Sequence, residues 1–392
     1  MQNIALSWLV YRLTGSVFLL GLVGFTSQIP TFILSPFSGV LTDRYSKLRI
    51  MILAQSGFMI LALIMTILVL FNWIAVWHIV FLSVLSGIVF ALDAPARQSL
   101  VIELIDDPRD LGNAIALNSA IFNGARLVGP AVAGLIIAAT GEGICFLINT
   151  LSFFAVIAAL LSIKIPKKKP VAREESFRDT FMEGYRYTFK TYTIRTLILL
   201  LAILSLFGIS YTVLLPAYAD KILHGGSDIL GYLMSSMGAG ALLAALFMAS
   251  RKSPAGLENL LSFSVLLLGL TLTIASFSRV FVLSSLLFFI AGMAMILSLA
   301  SVNTILQTIT EEDKRGRVMS FYSMALMGIS PIGSLLAGSI ASKAGIGEAL
   351  LISGILTVAA GIWFLSGKST FGKSLNIPYS VTPVNAQLPE EL

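Results

Sequence analysis

The chain has 392 residues, 57% of them hydrophobic and 12% charged, with a formal net charge of +6. Its mean hydropathy is +0.91. A soluble domain is about 45–50% apolar and about 25% charged, so folding this chain in water would leave too little polar surface to cover its outside. An ordinary soluble enzyme, a disordered tail and a disulfide scaffold are excluded on those figures alone. What fits is an all-α membrane protein built from many helices. One cysteine, Cys145, and two histidines, His78 and His224, cannot make a disulfide or a multi-ligand zinc cluster. No aromatic-basic recognition motif accompanies the positive charge, so no nucleic-acid partner and no metal are expected.

A helix needs about 17–25 apolar residues to cross a bilayer. In chain order such runs lie near 17–41, 50–71, 74–92, 113–139, 144–163, 196–218, 229–250, 257–276, 280–305, 318–341 and 346–366. Ahead of them Ile4 to Leu13 supplies about half a span. With the 43–49 loop set on the cytoplasmic side and the sides alternated, only Arg12, Lys221, Arg279 and Lys343 among the basic residues fall outside, and Arg126 lies within a span. That asymmetry follows the positive-inside rule and puts the C-terminus in the cytoplasm. The net charge is thereby explained by topology.

The longest polar stretch divides the chain into four parts. A transmembrane bundle covers 1–163, with its first helix incomplete, and a cytoplasmic linker covers 164–195. A second bundle covers 196–366, and a polar tail, read as disordered, covers 367–392. In the linker, Lys167-Lys168-Lys169 suits anionic headgroups. Ser176 and Asp179 make a capping-box-like start. Phe177, Phe181, Tyr185 and Phe189 then share one helical face, which predicts an interfacial amphipathic helix bracing the bundle.

A shift of 204 residues superposes the two halves: Gly112, Gly124, Gly129, Gly134, Gly141 and Gly143 meet Gly316, Gly328, Gly333, Gly338, Gly345 and Gly347 without a gap. With one gap, Leu20-Gly21 also resembles Leu230-Gly231. Two six-span halves in the same topology, joined by a long cytoplasmic loop, are the parallel-repeat plan of certain secondary transporters. The second half carries apolar residues ahead of the position matching Met1, so the repeat predicts that span one lacks its cytoplasmic half.

Between spans two and three stands Gly39-Val40-Leu41-Thr42-Asp43-Arg44-Tyr45-Ser46-Lys47-Leu48-Arg49. Gly39 permits close helix approach, and Asp43 can accept hydrogen bonds from a helix N-terminus and pair with a basic group. Gly39, Asp43 and Arg44, together with Arg97 of span four, are the expected conformational gate. Span five carries Gly124, Gly129, Pro130 and Gly134, a helix-packing motif whose proline permits bending. Arg126 stands near the middle of that span. There an arginine costs roughly 2.5–3.5 kcal/mol to insert, so a cavity or counter-charge is expected around it. Asn118, Asn123 and Asn149 are expected to share that substrate cavity with Arg126. Asp93 and Glu103 read as lying at or beyond the end of span four, with Asp93 pairing with Arg97 at i+4, so no buried carboxylate is expected. The run Gly361 to Ser369 is one residue too long for a P-loop and follows a membrane span in place of a strand.

The 39–49 segment resembles the cytoplasmic signature of the major facilitator superfamily, with Ser46 where that family usually has glycine and Leu48 in place of a basic residue. Asp93-Ala94-Pro95-Ala96-Arg97-Gln98, Asn113 with Asn118, the Gly124–Gly134 segment and Arg315-Gly316-Arg317-Val318-Met319-Ser320 are similar to its enterobactin-exporter-like branch, also described as transmembrane secretion effectors. The resemblance implies twelve helices in two six-helix bundles around a central cavity, and alternating access by rocking. It also implies proton-driven export of small organic molecules, siderophores or drugs among them, across a bacterial cytoplasmic membrane. The expected partners are a small-molecule substrate, protons and the lipid bilayer; the expected state is a monomer without cofactor and without enzymatic activity. A non-transporting membrane scaffold or sensor on the same fold is the alternative.

Overall fold

The computed structural model describes residues 1–44, 46–103, 111–163, 177–251, 253–312 and 314–367, the side chains of 35–44, 98–99, 101–103, 111–120, 122–123 and 177–181 excepted. The first half comprises α1 (Gln2–Thr14), α2 (Val17–Arg44), α3 (Lys47–Leu70), α4 (Val76–Glu103), α5 (Leu111–Thr140) and α6 (Glu142–Ser162). A short helix, α7 (Phe177–Lys190), follows. The second half comprises α8 (Tyr192–Ile222), α9 (Ser227–Ser250), α10 (Leu257–Ala275), α11 (Phe281–Ile309), α12 (Arg315–Ala344) and α13 (Ile346–Ser366). Among the described residues ten helices are long and apolar enough to cross a membrane. Each apolar run read from the sequence lies on one of these helices or on α5. At 13 residues α1 is about two thirds of the roughly 20 residues that a span needs.

These helices form because their backbone polar groups have no water to bond to at membrane depth and must be satisfied within the segment. Their outward faces are apolar. Leu53 on α3, Phe154 and Leu161 on α6, Phe263 on α10 and Ile362 on α13 are all exposed. An apolar outer surface of this extent is stable against lipid and not against water. The polar and small side chains lie inside.

Within the first half α2 packs on α4, and α3 packs on α4 and α6; within the second, α9 packs on α11, and α10 packs on α11 and α13. The halves meet along two seams, α2 against α12 and α5 against α9. Each seam rests on a pair of glycines. A Cβ on Gly134 would stand 2.5 Å from the Ser227 carbonyl oxygen and 2.9 Å from the Gly231 Cα; one on Gly21 would stand 2.6 Å from the Ser334 carbonyl oxygen and 3.1 Å from the Gly338 Cα. Close backbone approach of this kind is what small residues supply in membrane helix packing. Gly134 matches Gly338 in the internal repeat, and Gly21 matches Gly231, so the two seams are one contact made twice.

Helix α8 is irregular. It runs as α-helix to Ile203, as π-helix over Leu204–Gly208, as 3-10 helix over Ser210–Leu214, and again as π-helix over Tyr218–Ile222. The Ser210 hydroxyl donates to the Ser205 carbonyl at 2.8 Å, recovering an acceptor freed by the break. Tyr211 and Tyr218 are fully buried against Phe288 of α11. The Tyr218 hydroxyl lies 3.0 Å from the Ala275 carbonyl and 2.9 Å from the Ser284 Oγ, fixing α8 to the α10–α11 corner. A π-helical turn also interrupts α12 at Met324–Gly328.

Candidate functional site

A cavity of about 630 Å³ opens at the junction of the two halves. Its walls come from α1, α2, α3, α4 and α6 on one side and from Thr212 of α8, Met234 of α9 and Ser334 of α12 on the other. Gln2, Asn3, Gln28 and Asn149 give it polar lining among apolar side chains such as Phe58 and Phe153. This mixture of apolar wall and a few placed polar groups, at this size, suits a small organic molecule.

Asn149, expected in the cavity from the sequence, lines it and donates from Nδ2 to Gln2 Oε1 at 2.5 Å. Arg126 is not among the described residues lining it. Arg126 stands on α5 at the α5–α9 seam, where a Cβ on Gly238 would meet its carbonyl oxygen at 2.4 Å, and the residue is exposed. The side chains of Asn118, Asn123, Asp43 and Arg44, and the surroundings of Gly39, lie outside the described residues. In the span-five motif the close approach falls at Gly134; a Cβ on Gly124 or Gly129 meets no described atom within 4 Å. Pro130 lies inside α5, and its carbonyl oxygen would meet a Cβ on Gly231 at 2.8 Å.

Arg97 lines the cavity, and beside it the structure corrects one expectation from the sequence. Asp93 is 1% exposed and sits inside α4, ten residues before its end, within the membrane-crossing segment Val76–Arg97. The apolar run stops before Asp93, and Pro95 ordinarily ends a helix, which is why the sequence reads as a span closing there. The helix continues because the charge is satisfied. Gln55 Nε2 of α3 donates to Asp93 Oδ1 at 2.7 Å, and Arg97 Nη2 donates to Oδ2 at 2.5 Å. A carboxylate at membrane depth is tolerated when it faces a cavity and has partners, and it marks a functional position by default.

At the end of the molecule that carries the α1–α2 connection the two halves are in direct contact. Both glycine pairs lie towards that end of their helices. Tyr11 of α1 donates its hydroxyl proton to Asp220 Oδ2 of α8 at 2.9 Å, a direct bond between the halves. Next to it Arg12 grips Glu142 of α6 through two hydrogen bonds, of 2.7 and 3.1 Å. At the opposite end α7 touches α12: Glu183 pairs with Arg317 at 2.6 Å, and Tyr185 and Phe189 pack on Phe321. Among the described residues no group of three or more His, Cys, Asp or Glu is placed to hold a metal ion.

Two repeated half-molecules around one cavity define a major facilitator superfamily transporter, and solved structures of that class share the fold. The nucleoside transporter NupG superposes with a TM-score of 0.70 at 15% identity, covering 92% of each chain. A bacterial homologue of the human lysosomal transporter Spinster, solved inward-facing and unoccupied, superposes with a TM-score of 0.63 at 15% identity, covering 94% of this chain and 97% of that one. Within the superfamily, residues 1–388 match the model of the transmembrane secretion effectors, and the chain belongs to that family. It is similar to the staphyloferrin A transporter of Staphylococcus aureus, 28% identical over 91% of this chain and 89% of that protein. It is also similar to the multidrug efflux pump Tap of Mycolicibacterium fortuitum, 23% identical over 92% and 89%. The chain is thus a multi-pass membrane transporter and not an enzyme.

Proposed function

We propose that this protein is a proton-driven exporter of small organic molecules, of siderophore or drug class, working by alternating access in a bacterial cytoplasmic membrane. The observation that carries the reading is the cavity walled by both halves, which touch at one end through repeat-related glycine contacts. Rocking the halves about those contacts would open one end as the other closes. The distribution of Lys and Arg supports an outward-facing α1–α2 end and a cytoplasmic C-terminus, an orientation in which the cavity loads from the cytoplasm as an exporter requires. The relatives named for staphyloferrin A transport and multidrug efflux support a small organic substrate and outward movement. The protein acts as a monomer, with Asn149 in the substrate cavity and Asp43, Arg44 and Arg97 at the cytoplasmic gate. Arg126, with Asn118 and Asn123, is the part of the substrate site carried by α5. Each proton entering down 100 mV supplies about 2.3 kcal/mol, enough for a roughly fiftyfold gradient of a neutral substrate.

Inside-out vesicles containing the protein, energised to an acidic lumen, test the reading against a panel of siderophores and toxic drugs. At least one compound is expected to accumulate and to leak back when a protonophore collapses the gradient. Accumulation no greater than in vesicles lacking the protein, across the panel, contradicts export. Arg126→Ala in the same assay is expected to abolish proton-dependent accumulation at normal expression, and wild-type accumulation removes Arg126 from the mechanism.

A further inference from the structure

We propose that Arg97, besides its place at the gate, is the anion-recognition group of the cavity it lines and that Asp93 is its built-in competitor, so that the preferred substrates are organic anions carrying a carboxylate. This rests on the transporter reading above and names the substrate class of its cavity. Asp93 and Arg97 both line the cavity, but they are unequally placed: the Asp93 side chain is 1% exposed and that of Arg97 is 54% exposed. The carboxylate is spent inward, one oxygen on Gln55 and the other on Arg97. The guanidinium is a planar fork of five N–H donors, and its bond to Asp93 engages one nitrogen. A carboxylate entering the cavity meets a cation whose position is already fixed by a buried partner, which is how arginine recognises carboxylates bidentately.

The rest of the described lining supports a substrate with an anionic end and an apolar body. Gln28, Asn3 and Asn149 are polar without charge, while Phe58, Leu61 and Phe153 are apolar. Among the described side chains of the lining, Asp93 is the one acid, and Arg97 covers it. A cationic substrate would find no uncovered carboxylate there. Because Asp93 neutralises much of the guanidinium charge, an anion is held moderately and can leave, as a transporter requires.

The test uses full-length protein purified in a lipid-free neutral detergent, with two dyes of similar shape: fluorescein, a dianion, and rhodamine 123, a cation. Binding is read by fluorescence anisotropy and requires no transport, so it stands or falls separately from the vesicle assay. Wild-type protein is expected to bind fluorescein more tightly than rhodamine 123. Arg97→Gln, whose amide can still donate to Asp93, is expected to weaken fluorescein binding about tenfold or more, with Arg97→Lys intermediate. Asp93→Asn is expected to tighten it several-fold, a direction that mere damage to the fold does not produce. Binding should persist when phosphatidylglycerol is added at equal concentration. Displacement by that lipid would assign the site to a headgroup and overturn the proposal. So would preference for rhodamine 123, absence of fluorescein binding at millimolar concentration, or dissociation constants within twofold of wild type for Arg97→Gln and Asp93→Asn in protein that elutes monodisperse.

Discussion

A carboxylate inside a membrane span must be paired, and each partner of Asp93 can be removed separately. Gln55→Leu leaves Asp93 Oδ1 without its donor. An unsatisfied buried acceptor costs about 1–3 kcal/mol, so the variant is expected to unfold at a temperature several degrees lower in detergent, and an unchanged midpoint would show that water replaces the amide. The Tyr11–Asp220 bond joins the two halves at the α1–α2 end. Tyr11→Phe removes the donor and costs the closed state about 0.5–1.5 kcal/mol. A cysteine-reactive reagent should then label Asn149→Cys from the α1–α2 side several-fold faster than in the parent; an equal rate would show that the bond does not hold that end shut. Asp93 also shows where residue-scale reading stops. Its type, and its spacing from Arg97, were plain in the sequence. The donor on α3 was not, because which face of α3 meets α4 is decided by packing.

The helices themselves were legible because each must satisfy its own backbone in lipid, which forces long uninterrupted apolar runs. The exceptions have local causes. At Asp93 and Pro95 two residues that usually close a helix are accommodated, one by an ion pair and one within a helix whose neighbours hold it. The π and 3-10 turns of α8 left no sequence signal strong enough to place them: Gly208 and Pro216 mark the region, but Tyr218 fixes its geometry through contacts with α10 and α11. Tyr218→Phe is expected to destabilise the protein by about 1–2 kcal/mol, read as a lower denaturation midpoint, and a midpoint equal to wild type would show that packing against Phe288 suffices. The glycines were legible as a repeat before their partners were known. Gly338→Ala places a methyl within 2.9 Å of the Gly21 Cα and should cost the closed seam about 1–3 kcal/mol. Spin labels across the α1–α2 end should report longer distances in that variant, and an unchanged distance distribution would detach the glycine pair from closure.

At the scale of the molecule, the two halves were readable from a 204-residue shift and a cavity between them was expected from the resemblance, but the full set of residues lining it was not legible. Arg126 drew attention because a lone arginine in an apolar run is conspicuous; it stands on the α5–α9 seam, while Asn149, expected in the cavity, lines it together with Arg97. Hydropathy gives the depth of a residue, whereas lining a cavity depends on the rotation of every helix about its axis. The account's central claim is that the halves must separate at the α1–α2 end for substrate to leave. In a background with Cys145→Ser, the pair Tyr11→Cys and Asp220→Cys can be bridged by a short bifunctional thiosulfonate in inside-out vesicles. The bridge is expected to stop accumulation of an exported compound, and a reductant to restore it; bridged protein that transports at the unbridged rate would contradict the claim.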